Sequence, residues 1–349
     1  MLTQGVDSSA GASIAGAVAA LVSLESRATD ASCFHLVVAS MHSLCAAIVE
    51  AERHGLAREE ILAALAPARR IHARSPFVKR LQTWPRGYPG DFETIEYLLD
   101  QRNRARPGTL AHSIERYALG CMAAQQHRNK VALQAAFIRS ALCDQVRPVN
   151  GGRPTAPRVL MIACGGAPEI RGHRELLEVA AAYTLCDSDT DALAYCRKTL
   201  GALGLQCRFV AGNVFHRLRE LKRMGPFDVI VTGGLYDYLT DRQAETLTRH
   251  AYNDLLADDG RMLFTNICAG NPYRVWMEYL ADWQLRERSE DDLRSLARSA
   301  GIAESQCELA TDGTGLALIA RIRKVAPPSV HLDSRRGAER ALHVASADR

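Results

Sequence analysis

A short apolar run, Val159-Leu160-Met161-Ile162, leads into Ala163-Cys164-Gly165-Gly166-Ala167-Pro168-Glu169, and the next run, residues 183–186, ends in Asp187. Small residues at such a turn let a ligand approach the backbone, and a helix starting there presents unpaired amides. A carboxylate closing the following strand accepts both hydroxyls of a ribose, so the spacing points to a nucleoside ligand. A third run, Phe209-Val210-Ala211-Gly212, stops at Asn213, whose side chain either hydrogen-bonds an adenine edge or caps the loop. Past a fourth run come Gly233-Gly234-Leu235-Tyr236-Asp237-Tyr238-Leu239, which set aromatic and acidic groups at the strand edge where doubly wound sheets hold ligands.

Two stretches of the N-terminal half carry groups suited to the same ligand. Trp84-Pro85-Arg86-Gly87-Tyr88-Pro89-Gly90-Asp91-Phe92 cannot be helical throughout, because its prolines and glycines shape a loop. The aromatic pair Tyr88 and Phe92 either packs on a cationic ligand or staples two helices together. Gln125-Gln126-His127-Arg128-Asn129-Lys130 spans more than one face of a helix. Either some of these groups point inward, with Arg128 pairing a carboxylate and His127 accepting a proton, or they form a solvated face with a snorkelling arginine. Tyr117, Tyr183, Tyr236 and Tyr238 are further aromatic candidates, and Asp237 is the acid expected nearest the reacting centre, as base or as acceptor for an amine. With no Ser-His-Asp order, metal-ligand cluster or phosphate loop in view, no metal is expected.

The elements positioning these groups fall into two kinds. Residues 12–146 are rich in Ala, Leu, Arg and Glu with apolar positions three and four apart, which predicts a helical bundle, with amphipathic helices over 57–66 and 112–143. Turn-forming residues at 147–154 mark a junction. Beyond it, apolar runs at 158–163, 183–186, 206–210, 227–232, 261–266 and 316–322 alternate with helical segments, including one at 170–182. That alternation implies a mostly parallel sheet covered by helices. The expected organisation is an all-helical domain over 1–150, a Rossmann-like, doubly wound α/β domain over 151–324 and a disordered polar tail over 325–349.

At 349 residues with 47% hydrophobic and 23% charged side chains, the chain can bury two cores, which excludes wholesale disorder. Its net charge of +4 is dispersed rather than gathered into a basic stripe, so nucleic acid is not an expected partner. Ten cysteines without a C-x-x-C pair signal neither zinc nor a disulfide framework and fit a reducing cytosol. The apolar run at 14–24 is too short for a membrane span and no basic residue precedes it, so the expectation is a cytoplasmic protein without a membrane partner.

In this order, the four strand-end features resemble class I S-adenosylmethionine (SAM) dependent methyltransferases over residues 158–323. Residues 86–92, residues 234–239 and Asn271-Pro272-x-Arg274-x-x-Met277-Glu278-Tyr279-Leu280-x-Asp282-Trp283-x-Leu285 together look like the bacterial extracellular-factor (3-hydroxypalmitate methyl ester) synthases. The resemblance implies SAM as cofactor, with Ala163, Gly165 and Ala167 at the glycine-turn positions beside its methionine part, Asp187 on the ribose and Asn213 at the adenine. Asp91 and Arg128 complete the expected cofactor contacts, and Asp237, Tyr236, Tyr88 and Asn129 are the expected catalytic residues. The chain departs from the pattern in having Ala at the first and third glycine positions, which fits where the local φ is negative, and Met161 where many relatives carry an acid.

The first function this implies is methyl transfer to a small-molecule acid or amine of bacterial secondary metabolism or signalling, with the helical half as a lid excluding water. A carboxylic acid acceptor, ionised at neutral pH, wants a cationic anchor such as Arg128 or Arg274. The alternative follows the azetidine-2-carboxylate synthases, which resemble methyltransferases with a helical lid. There the amine of SAM attacks its own γ carbon and expels methylthioadenosine. A SAM-binding protein without catalysis is a third reading. The oligomeric state is left open.

Overall fold

The computed structural model describes residues 3–27, 33–145 and 156–325. Its N-terminal part is helical: α1 (Thr3–Ser23), α2 (Cys33–Arg53), α3 (Arg58–His72), α4 (Pro76–Thr83), α5 (Phe92–Asp100), α6 (Leu110–Gly120) and α7 (Met122–Gln145). Local sequence sets several starts. Ser75 caps α4 by accepting from the Val78 amide, with Pro76 in the first turn, where a missing amide costs nothing. Thr109 caps α6 through the His112 amide. The single helix expected over 112–143 is instead two, because Cys121 takes an extended backbone between α6 and α7. Leu44, Ile48, Leu65, Phe77 and Ile114 lie in the core of this cap. The fully buried Glu115 of α6 ties it together, accepting from the Ser75 hydroxyl at 2.9 Å, the Tyr97 hydroxyl at 2.7 Å and the Phe77 and Arg104 amides.

The C-terminal part alternates strands and helices: β1 (Arg158–Ile162), α8 (Pro168–Arg171), α9 (Arg174–Leu177), β2 (Ala182–Asp187), α10 (Thr190–Ala202), β3 (Cys207–Ala211), α11 (Val214–Met224), β4 (Phe227–Thr232), α12 (Asp241–His250), β5 (Leu256–Ile267), α13 (Glu290–Ser299), β6 (Cys307–Thr311) and β7 (Ala317–Arg323). They form one sheet of order β3-β2-β1-β4-β5-β7-β6, parallel from β3 to β5, with β7 antiparallel to both its neighbours. The helix expected over 170–182 is reduced to the two single turns α8 and α9, interrupted at Gly172, so no long helix offers its amides to a ligand there.

Alternation along β1 sends Leu160 and Ile162 into a core shared with α11, α12 and α13, and Val159 and Met161 into a core under α7 and α10. Met161 is thus a core residue, at a place where an unpaired acid would be costly to bury.

The expected junction at 147–154 and the tail from 326 onward lie outside the described residues. Packing departs from a division by sequence order. The first half of α7 enters the cap core through Ala123 and Ala124, while Ala135, Ile138, Ala141 and Leu142 join the sheet core. Residues 275–283 return from the C-terminal half to bury Val275, Trp276, Met277, Tyr279, Leu280 and Trp283 in the cap. There Arg69 holds the Tyr279 carbonyl and Asp282, and the Gln82 amide donates to the Leu280 carbonyl at 2.7 Å. Helix α2 is long and apolar enough to cross a membrane, and its Val37, Met41, Leu44 and Ile48 face is packed in the cap core. All ten cysteines are unpaired.

Candidate active site

The chain runs outward from β1 through β2 to β3, then crosses back to place β4 on the other side of β1. Such a switch point opens a crevice at the carboxyl ends of the strands. Two clefts meet there, sharing Ala163 and Tyr238. The first, about 110 Å³, lies between the cap and the turn after β1; the second runs past Asp187, Asn213 and Leu235.

The turn itself is strained. Ala163 has φ 51°, Gly165 51° and Ala167 47°. The expectation of negative φ at the two alanines is therefore corrected: both are left-handed, which costs roughly 1 kcal/mol apiece for a residue with a Cβ. The turn is fastened to Asp187, whose carboxylate accepts the Gly165 amide at 2.8 Å and the Asp189 amide at 2.9 Å. Burial pushes the Asp187 pKa up against the pull of those amides.

One wall of the first cleft comes from α7, through His127, Lys130, Val131 and Gln134. Lys130 and Asp237, both almost wholly buried, pair at 3.3 Å, and Asp237 also accepts the Ile267 amide at 2.6 Å. Burial raises the Asp237 pKa, with Lys130 opposing. His127 stacks on Trp283 at 5.1 Å and 18°, and its Nε2 has no partner. Burial, with Lys130 and Arg128 adding, holds the His127 pKa well below the usual range, so the ring is neutral. The Trp283 indole donates to the Tyr238 hydroxyl at 2.8 Å. Glu169 is buried with one carboxyl oxygen unpartnered, and burial lifts its pKa to about 7, Glu96 adding and Arg171 opposing. Gln134 donates to the Lys130 carbonyl at 3.0 Å and leaves its own oxygen unpartnered, pressed so close to Gly233 that any Cβ there would collide with it.

The cap is clasped to the rim of the sheet. Arg86 forks onto Asp189 at 2.7 and 2.8 Å and reaches Asp191, and the Tyr88 hydroxyl donates to Asp189 at 2.7 Å. Burial raises the Asp189 pKa, but Arg86 and Tyr88 more than offset it and bring it down to about 2. Arg171 pairs with Glu96. Gly90, at φ 66°, lets the loop lie against Tyr238 and Trp283 where a side chain would clash.

Of the residues expected at the site, Ala163, Gly165, Asp237 and Tyr238 line the first cleft, while Asp187 and Asn213 line the second. Asn213 also caps α11 by accepting from the Phe215 amide, the second of the two roles read for it. Ala167 closes the turn inside the sheet core. Others are corrected. Tyr236 is fully buried, stacked on Phe264 at 4.1 Å with its hydroxyl on Thr248, and is a core residue. Arg128 donates to the Leu98 and Leu119 carbonyls, closing the ends of α5 and α6. Asn129 binds Asp312 and Gln125 away from both clefts. Asp91 caps α5 and pairs with Arg80 at 2.5 Å. Tyr88 sits at the rim on Asp189, joining cap to sheet instead of helix to helix. Arg274 is paired with Glu52 and Glu278. Tyr117 packs on Trp276 in the cap core and Tyr183 in the sheet core.

Sequence reasoning missed Lys130, Gln134 and Glu169 as cleft residues. The signal for two of them was periodicity: 127, 130 and 134 share one face of α7, and Arg128 and Asn129 flank it.

No protein-family model and no curated protein matches this sequence. Among solved structures, a "possible exported protein" from Bordetella parapertussis superposes with a TM-score of 0.50 at 15% identity, covering 91% of this chain and 97% of that one. The SAM-dependent methyltransferase SibL in its apo form gives 0.43 at 16% identity, over 91% and 96%. Magnesium protoporphyrin IX methyltransferase from Synechocystis PCC 6803 with bound SAH gives 0.42 at 12%, over 58% and 87%. With its strand order, antiparallel β7 and helical cap, this chain has the Rossmann-like α/β fold of the class I methyltransferases.

Proposed function

We propose that the protein is a SAM-dependent transferase that methylates a small-molecule acid or amine in the cytosol, of the kind handled in bacterial secondary metabolism or signalling. One observation carries this reading: the two clefts that meet at Ala163 and Tyr238, one ending at the buried carboxylate of Asp187 and the other closed by the cap. The residues present fit the cofactor, because Asp187 offers a ribose acceptor and the first cleft holds buried polar atoms without partners. When bound, SAM supplies an electrophilic methyl group on a sulfonium.

The chain's own residues provide the rest. Phe92, Trp283 and Tyr238 present aromatic faces suited to a sulfonium. The clasp of Arg86 and Tyr88 on Asp189 holds the cap to the sheet rim beside the clefts. His127, neutral and with a free nitrogen, can take the proton of an O–H or N–H acceptor, whereas both oxygens of Asp237 are engaged in holding Lys130 and the Ile267 amide.

The test is to incubate the protein with SAM, with and without a cell extract, beside an Asp187→Ala variant, and to identify products by mass spectrometry. S-adenosylhomocysteine formed only with extract and only by the wild type supports methyl transfer. Methylthioadenosine with a four-carbon cyclic amino acid, formed without extract, replaces it with the intramolecular reaction.

A further inference from the structure

The cap has a cleft of its own, about 460 Å³ in volume, whose lining shares no residue with the two clefts at the sheet edge. It lies between the loop joining α5 to α6 and the turn before α4. The loop begins Gln101-Arg102-Asn103-Arg104-Ala105-Arg106-Pro107, an alternation of arginines that methyl transfer leaves unused. Arg104 and Arg106 line the cleft from the loop, Arg74 from the turn before α4 and Glu25 from the turn after α1.

The loop is held in one shape by its own polar groups. Asn103 donates to the His112 carbonyl at 2.8 Å and accepts the Ala105 amide at 3.0 Å. The Arg104 amide donates to the buried Glu115 at 2.6 Å, and the Thr109 hydroxyl to the Arg106 carbonyl at 2.6 Å. The Arg104 guanidinium lies 4.0 Å over the Tyr97 ring, so it meets a ligand with its position already set. Charge in the cleft is unbalanced. Three guanidinium groups face one carboxylate, Glu25, which is paired with Arg74. Asp100 answers Arg104 at 3.3 Å from outside the lining, but both side chains are half exposed, and a pair so placed contributes little. Arg106 is exposed, and its guanidinium has no partner among the described residues.

We propose that this cleft is a second binding site, for a phosphate group, free or carried on a small organic molecule, gripped by Arg74, Arg104 and Arg106. A phosphate brings nearly two negative charges and three acceptor oxygens, which suits several guanidinium forks at once; a carboxylate brings half of that. Among the described residues no aromatic side chain lines the cleft, so a nucleic-acid base finds no stacking platform there. Pro76, Ala105 and Leu110 instead offer an apolar wall to a small organic body.

Calorimetric titration of the full chain with inorganic phosphate and with glycerol 3-phosphate, at constant ionic strength, tests this. The variants are Arg106→Gln, which removes a guanidinium that holds nothing else in the fold, and Arg102→Gln, which removes the same charge from the same loop outside the lining. Arg106→Gln is expected to weaken binding about tenfold or more, the yield of one charge-assisted contact, and Arg102→Gln by less than about twofold. Equal weakening by both variants, the mark of a diffuse surface potential, overturns the proposal. So does a wild type that binds neither ligand at millimolar concentration, or acetate that displaces phosphate at equal concentration. Tighter binding of glycerol 3-phosphate assigns the site to an organic phosphate, and tighter binding of inorganic phosphate to the free ion; either keeps the site. The SAM reading stands or falls separately, on the Asp187→Ala comparison.

Discussion

Replacing Glu169 by Gln should make the unliganded protein more stable at neutral pH, by an amount that depends on pH in a defined way. Burial raises this carboxyl from 4.5 to about 7 in the folded state. Below the unfolded value, both states hold the proton and the carboxyl is no burden. As pH rises through the interval, the unfolded chain releases its proton while the folded chain keeps it, so stability falls until the folded group also ionises. An interval of this width corresponds to about 3 kcal/mol, complete near neutrality and flat above it. The glutamine never titrates and resembles the protonated acid. Glu96, Arg171, Lys130, Asp237 and His127 are present in both proteins and cancel in the difference. Urea unfolding of the two proteins at closely spaced pH values measures it directly. The variant's advantage should grow by about 3 kcal/mol between pH 4.5 and neutrality. A difference that stays constant across that range refutes the placement of an uncompensated carboxyl in the cleft.

Three further outcomes are expected. Arg128→Met should lower stability by about 2–4 kcal/mol in urea, because the Leu98 and Leu119 carbonyls lose a charged donor, while S-adenosylhomocysteine affinity changes by no more than about twofold. Ala163→Gly should raise the urea midpoint, by about 1 kcal/mol, since glycine accepts the φ of 51° without a Cβ clash. Arg86→Met should free Asp189, lifting its pKa from about 2 toward the ordinary carboxylate value in an NMR titration and speeding amide exchange over residues 84–96 by about tenfold.

Strand ends were the most legible part of this molecule. Residues 227–232 form the expected strand, and Asp187, Asn213 and Asp237 all emerge at the sheet edge, because apolar runs bounded by small and polar residues leave little freedom of register. The edge strand β6 was invisible, since Cys307-Glu308-Leu309-Ala310-Thr311 has neither a β-branched run nor a clean alternation. The cap side of the site was harder to read. Its loop was placed correctly, yet Asp91 and Arg128 turned to helix ends, where carbonyls and amides within the same chain competed for them ahead of any ligand. The left-handed alanines could not be foreseen, as the φ of a turn is imposed by what packs around it, here Asp187 and the sheet core. Glu169 was overlooked because a charged residue behind Ala-Pro reads as solvated until burial is known.

The return of residues 275–283 to the cap gives the protein an order of assembly. During synthesis, α1 to α6 emerge with a core that the first half of α7 completes only in part, and the ribbon containing Trp276 and Leu280 leaves the ribosome only after β5. The cap therefore completes its core after most of the sheet exists, through contacts that span more than half the chain. The two halves must mature together: a nascent chain arrested before Trp283 presents neither a sealed cap nor the indole that stacks on His127 and anchors Tyr238.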